Sequence, residues 1–190
     1  MASNRKQEFS GVRWVDINSL GISQLYLNRK KLMEIEKWFS PNDMQKFQPL
    51  PVHDFGNGRL TLTDGHSRAF VVYKAGLTTI PVRYDFDDIV MSETGQILYK
   101  NDIVWCERFH LYSIRDLKSR IITDDQYQTL WIKRCEAAYH LLTRTTVEER
   151  ARLAEQQKGL FLYGANEDLS ILYFENGETG ALYEMEREWF

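Results

Sequence analysis

Hydrophobic and polar positions alternate with two periods along this chain, and the switches between them mark its elements. Arg13-Trp14-Val15-Asp16-Ile17 reads as a short strand. From about Arg29 to Phe39, Leu32, Ile35, Glu36 and Phe39 recur at helical spacing, and Ser40-Pro41-Asn42-Asp43 ends the helix with turn chemistry. Pro51–Phe55 and Arg59–Thr63 alternate around Gly56-Asn57-Gly58, which predicts a β-hairpin. Asp64-Gly65-His66-Ser67-Arg68 then opens a helix to about Ala75, striped by Ala69, Val72 and Tyr73 and closed by Gly76 as C-cap. Thr79–Arg83 returns as a strand, and Pro81, lacking an N–H, argues for an edge or a strand end.

Beyond residue 90 the pattern becomes helical over Asn101–Phe109, Ile114–Ile121 and Asp124–Leu142. In the last of these Tyr127, Leu130, Trp131, Cys135, Ala138 and Leu142 line one face. Thr145–Gln157 adds a further helix, with Thr146 as cap and Glu149 placed for a capping box. Leu169–Phe174 and Ala181–Glu184, joined through Glu175-Asn176-Gly177-Glu178, read as a closing β-hairpin. The expected organisation is a flexible tail over 1–13, a mixed α/β (α+β) domain over 14–90, and a helical and β-hairpin extension over 91–190 packed on it. The extension's many aromatic residues would otherwise leave large apolar patches exposed.

Composition narrows the classes. A chain of 190 residues can bury about 70% of its unfolded surface, enough for one core. Aromatics at 13% exclude intrinsic disorder. The net charge of −3 gives no global attraction to nucleic acid, so that partner is disfavoured. Residues 1–90 nevertheless carry 12 Lys/Arg against 10 Asp/Glu, while residues 91–190 carry 12 against 17. Cys106 and Cys135 lie too far apart for a Cys-x-x-Cys zinc or redox motif and read as buried small apolar groups. No apolar run approaches the ~20 residues of a membrane span, and polar Met1–Ser10 has no signal-peptide core. A cytoplasmic protein without membrane contact is expected, and a homodimer is compatible with the composition.

Chemistry concentrates at Asp64–Arg68. A strand running through a glycine into the first turn of a helix aims free N–H groups and the positive dipole end at an anion. Gly65 lets a ligand approach the backbone, Ser67 offers a hydroxyl, and Arg68 can fork onto two phosphate oxygens. His66 can donate to phosphate or move a proton near neutral pH. Asp64 either caps the helix or engages a metal or a substrate hydroxyl. Each has a plainer reading: a cap for Asp64, a surface ion pair for Arg68 and a solvated helix start for His66. His53 lies on a strand facing site or solvent. Asp85, Asp87 and Asp88 read first as a solvated acidic loop and second as a Mg²⁺ cluster. Glu34 and Glu36 read as an exposed helix face, with a general base as the second reading.

The residues Leu62-Thr63-Asp64-Gly65-His66-Ser67-Arg68, followed by Ala75-Gly76-Leu77 and Ile80-Pro81-Val82, resemble the ParB/sulfiredoxin superfamily, also known as the ParB-like nuclease domain. The resemblance spans about Trp14–Tyr84, and it implies that fold and a Gly-x-x-Arg turn binding nucleotide phosphates through Gly65 and Arg68. Partition proteins of the superfamily bind CTP there, sulfiredoxins bind ATP, and a related kinase phosphorylates free serine. Sulfiredoxins carry their nucleophilic Cys where this chain has His66, so sulfiredoxin chemistry is not expected. The acidic second half shows no helix-turn-helix pattern, which disfavours chromosome partition. Three functions follow as alternatives. The first is a nucleotide- or phosphate-binding protein acting as a small-molecule phosphotransferase or nucleotide hydrolase, with Mg²⁺ and ATP or another nucleotide and with Asp64 or His66 as the catalytic group. The second is a nuclease on phosphodiesters, and the third is a non-catalytic nucleotide- or protein-binding module. No protein-held metal site is expected.

Overall fold

All four strands expected in the first 90 residues form, and they assemble into one mixed sheet. In the computed structural model, which describes residues 11–155, 157 and 159–187, β1 (Val12–Asp16) opens the chain. It is followed by β2 (Leu27–Asn28), α1 (Arg29–Trp38), β3 (Leu50–Asp54), β4 (Leu60–Leu62), α2 (His66–Lys74) and β5 (Thr79–Tyr84). Next come α3 (Asp88–Met91), α4 (Glu93–Arg108), a 3₁₀ helix at Ile114–Arg120 and β6 (Ile121–Ile122). The tail expected over residues 1–13 lies outside the described residues up to residue 10, and Val12 and Arg13 belong to β1. Two compact units divide the chain, Met1–Asp124 and Asp125–Phe190. The first therefore continues through residues 91–124, where an extension was expected to begin.

The sheet of the first unit runs β1-β5-β3-β4, with β5 antiparallel to β1 and parallel to β3, and β3 antiparallel to β4. Leu50, Val52, Leu62, Ile80 and Val82 are buried on it with Ala69, Phe70 and Val72 of α2. The edge position argued from Pro81 is wrong: β5 is an interior strand. Ile17 donates to Thr78 at 2.9 Å, so the Trp14–Pro81 pair falls between hydrogen-bonded pairs of the β1 ladder. The missing N–H of Pro81 points instead toward β3, whose parallel ladder begins only at Leu50–Val82. The proline thus costs the sheet no ladder bond.

Local chemistry explains the helix ends. Asn28 caps α1 by accepting from the Lys31 amide. At the end of α2, Gly76 (φ +80°) donates to Tyr73 and Leu77 donates to Val72, a Schellman closure one residue beyond the Ala75 C-cap. The helix expected over Asn101–Phe109 starts at Glu93, because Ser92 accepts from Gly95 as its cap, and the helix expected over Ile114–Ile121 is 3₁₀ in form.

From the unit boundary onward α5 (Asp124–Tyr127), a π-helical turn at Gln128–Ile132 and α6 (Lys133–Arg144) replace the single α-helix expected there. α7 (Val147–Glu155) starts with the Glu149 amide on Thr146 Oγ1 at 3.1 Å. The expected hairpin is β8 (Ile171–Asn176) with β9 (Leu182–Glu186), but an unforeseen β7 (Leu160–Ala165) makes it a three-stranded antiparallel sheet. Leu141, Leu153, Ala165, Leu172 and Phe174 form its core. Overall the fold is mixed α/β, and no described helix is long and apolar enough to cross a membrane.

Candidate functional site

The junction between β4 and α2 is held from both sides. Thr63 donates its amide to Pro51 at 3.1 Å, accepts from the Tyr99 hydroxyl at 3.2 Å, and donates its own hydroxyl to Asp85 Oδ2 at 2.5 Å. Tyr99 stays a neutral donor, pushed up to about 12 by burial and then by the Asp85 charge. His53 is buried, donating Nδ1–H to the Asp85 carbonyl at 3.0 Å and facing Gln96 with Nε2 at 3.3 Å. It braces the junction and is turned away from solvent.

From this anchored point the chain turns at Gly65, which is the N-cap of α2 with φ +81°. Of the two readings of Asp64, the cap is therefore excluded: no side chain caps this helix. A Cβ at Gly65 would lie 2.8 Å from Leu50 Cδ2 and 3.1 Å from Arg68 Nη2. The guanidinium thus folds back over the helix start, where the first-turn N–H groups have no intrahelical acceptor. Arg68 reaches Asp64 at 3.3 Å and Gln48 at 3.4 Å. Both distances exceed the ~2.7–2.9 Å of a tight charge-assisted bond, so the cation is placed but weakly held. The carboxylate of Asp64 is exposed beside it.

His66 and Ser67 are buried, at 3% and 4% exposure. The Ser23 amide donates to His66 Nε2 at 3.1 Å, which puts the ring proton on Nδ1, and Nδ1 has no partner among the described residues. Burial lowers the imidazole from 6.5 to about 4, opposed by Asp64 and reinforced by the nearby Lys31. His66 is therefore neutral at physiological pH, with Nε2 engaged and only an N–H to offer.

One turn thus gathers Asp64, Gly65, His66 and Arg68. The acidic loop does not join them as a cluster. Asp85 accepts from Thr63 and from the Asp87 amide, and Asp87 caps α3 by accepting from Ile89. Among the described residues no three His, Cys, Asp or Glu side chains gather as a metal site. Glu36 pairs with Lys74 at 2.7 Å, at the opposite end of α2 and about 12 Å from its start, and Glu34 is exposed.

Three contributors escaped sequence reasoning: Ser23, Lys31 and Gln48. For Lys31 a signal was present. Arg29, Lys30 and Lys31 fill the first turn of α1 without an acidic residue, against the helix dipole, which is an arrangement an anionic ligand would offset.

No family model matches the sequence, and no curated protein matches it. Solved structures do. Protein Atu1540 from Agrobacterium tumefaciens aligns over 77% of this chain and 80% of its own, at 10% identity and a TM-score of 0.39. The C-terminally truncated chromosome-partitioning protein ParB from Caulobacter crescentus, solved with CTP-γ-S, aligns over 70% of this chain and 93% of its own, at 16% identity and a TM-score of 0.33. A ParB-like protein is thus among the structural neighbours of the chain.

Proposed function

We propose that the chain binds a phosphate-bearing small molecule, in the first place a nucleotide, at the Gly65–Arg68 turn. The observation that carries this reading is the Arg68 guanidinium folded over the α2 N-terminus, 3.1 Å from where a Gly65 side chain would begin. Fixed N–H donors and a cation then converge on one point, the arrangement that binds phosphate at helix starts. Lys31 adds a second positive charge close enough to act on His66. The sequence resemblance to the ParB/sulfiredoxin superfamily selects nucleotides among anions.

In this reading the phosphate displaces the long Asp64 contact and takes the fork of Arg68. His66 does not serve as general base, because Ser23 occupies its Nε2 lone pair; its Nδ1–H orients a ligand or a neighbouring group. A nucleotide brings its own Mg²⁺, which needs one or two protein carboxylates, and Asp64 is the exposed carboxylate at the turn. A second reading, phosphoryl transfer, is favoured by the same exposure: once freed from Arg68, Asp64 can take the proton of an acceptor hydroxyl. A nuclease needs a carboxylate-rich metal centre, and this donor set favours it less.

The test is calorimetric titration of nucleotides with and without Mg²⁺ at matched salt. Arg68→Ala removes a charge-assisted contact worth ~1.5–3 kcal/mol, so affinity should fall about tenfold to hundredfold. Arg68→Lys should restore part of it, since charge returns without the fork. Equal affinity in wild type and Arg68→Ala refutes the site. Loss of turnover with retained affinity in Asp64→Asn would assign the second reading.

A further inference from the structure

The four-stranded sheet of the first unit ends in β1, whose outer side pairs with no strand among the described residues. Register fixes what that side offers. Ile17 donates to Thr78, so Arg13 and Val15 sit in the hydrogen-bonded pairs of the β1–β5 ladder, while Val12, Trp14 and Asp16 sit in the alternate ones. The backbone groups of these three residues therefore point away from β5, toward the open edge. Among the described residues only the Asp16 carbonyl is engaged there, by the Ser19 hydroxyl at 2.7 Å. The same three residues share one face of the sheet, and Val12 and Trp14 are 57% and 51% exposed on it. Trp14 lies beside Pro81 and Val12 beside Arg83, which is exposed as well. A bare edge of this kind is a template for a further strand.

The edge itself selects the strand. Val12 and Asp16 stand symmetrically about Trp14, so a two-fold axis through Trp14, perpendicular to the sheet, lays β1 of a second copy antiparallel alongside. Trp14 then faces Trp14 and Val12 faces Asp16. Every outward amide meets an outward carbonyl, and the Asp16 carbonyl has a second lone pair for the purpose. On the exposed face the two indoles form an aromatic cross-strand pair. The row from Arg83 to Val12 continues onto Asp16 of the second copy, which sets opposite charges near one another twice by symmetry. Sliding the strands by two residues is worse in either direction. One slide sets Arg13 directly opposite Arg13, a destabilising pair of like charges, and the other sets Trp14 against the Asp16 carboxylate. An unrelated extended peptide would match the backbone alone.

We infer that two copies of this chain pair through β1, antiparallel about Trp14, and join their four-stranded sheets into one. Trp14 lies outside the Gly65 turn, so this reading and the nucleotide reading fail separately.

The experiment is sedimentation velocity of the full chain, without nucleotide, over a range of concentrations. The 22.5 kDa monomer should give way to a species of twice that mass as concentration rises. Trp14→Arg and Trp14→Glu each place like charges on the axis and should raise the dissociation constant about tenfold or more. Mixing the two variants should restore the dimer, because position 14 meets position 14. Thermal unfolding checks that each is folded. Val12→Pro serves beside them: it deletes one outward N–H at the first residue of an edge strand, where proline is tolerated, and should weaken the dimer too. Hydrogen exchange reads the contact directly. The Trp14 amide should gain protection as the dimer forms, whereas the Val15 amide, bonded within the β5 ladder, is protected at every concentration. A chain that stays monomeric overturns the proposal, as does a dimer that a folded Trp14→Arg leaves intact, or a mixture that does not recover. A Trp14 amide protected in the monomer overturns it as well, by showing that the edge is covered within one chain.

Discussion

Gly65→Ala tests the geometry of the proposed phosphate turn directly, and Gly76→Ala is its internal control. The two glycines have nearly the same backbone, φ +81° and +80°, so each substitution carries the same left-handed penalty of ~1–2 kcal/mol. Their surroundings differ. At Gly76 a Cβ meets nothing within 4 Å, whereas at Gly65 it meets Leu50 Cδ2 at 2.8 Å. Leu50 is fully buried and cannot swing aside, so overpacking adds about 1–3 kcal/mol. Gly65→Ala should therefore cost about 2–5 kcal/mol and Gly76→Ala about 1–2 kcal/mol. Native-state hydrogen exchange of the β3 and α2 amides reads the stability of this unit separately from the other. The added methyl also displaces the Arg68 guanidinium, so Gly65→Ala should weaken phosphate binding while Gly76→Ala leaves it intact. Equal destabilisation by the two substitutions would show that Leu50 does not crowd Gly65, and the close approach argued for the turn would fall.

His66 should make the first unit acid-sensitive. Its pKa drops from 6.5 to about 4 on folding, so the unfolded chain takes up the proton first, and stability present above pH 6.5 is lost as pH falls toward 4, by about 3 kcal/mol in all. His66→Gln should flatten that slope in denaturant titrations at pH 7, 5.5 and 4; an unchanged slope would remove His66 from the argument. In the second unit Glu175→Gln strips the partner from buried Arg134 and should cost about 3–5 kcal/mol, whereas the paired change Arg134→Met with Glu175→Leu should cost clearly less, as read from urea midpoints. A double change as damaging as the single one would mean that the pair itself, rather than an uncompensated charge, stabilises the unit.

The turn was legible because its signals are local: a strand ending at Leu62, then a glycine and an Arg within the five residues Asp64 to Arg68. Its supports were not, because they come from elsewhere in the chain. Ser23 lies 43 residues before the ring it holds, and Gln48 lies 20 residues before Arg68; no periodicity links such positions. The cap reading of Asp64 failed, while its other reading stayed open, since Gly65 takes the cap position with its left-handed φ and frees the carboxylate for Arg68. Pro81 misled for a related reason: a proline forbids one hydrogen bond, and only the register shows that no strand residue stands where that bond would form. β7 was missed because Leu160-Phe161-Leu162-Tyr163 is a short continuous apolar run without alternation, which periodicity alone does not assign to a strand. The π turn at Gln128–Ile132 is likewise invisible to a pattern built on 3.6 residues.

The segment that presents Ser23 to His66 also finishes the sheet. Gly21 donates to Leu60 at 2.8 Å and accepts from Leu62 at 3.0 Å, pairing alongside Thr61 as a single-residue strand. Arg59 clamps the same segment through the Ser19 and Leu20 carbonyls, both at 2.9 Å. The outer rim of β4 is thereby closed to a strand from another molecule, a hazard wherever a sheet ends in bare amides. A side chain at Gly21 would strike Thr61 Oγ1 at 2.5 Å and lift the segment away. Substitution there would loosen the ring of His66 and expose an adhesive strand in one stroke, so damage to the proposed ligand site and a tendency to self-associate should arise together.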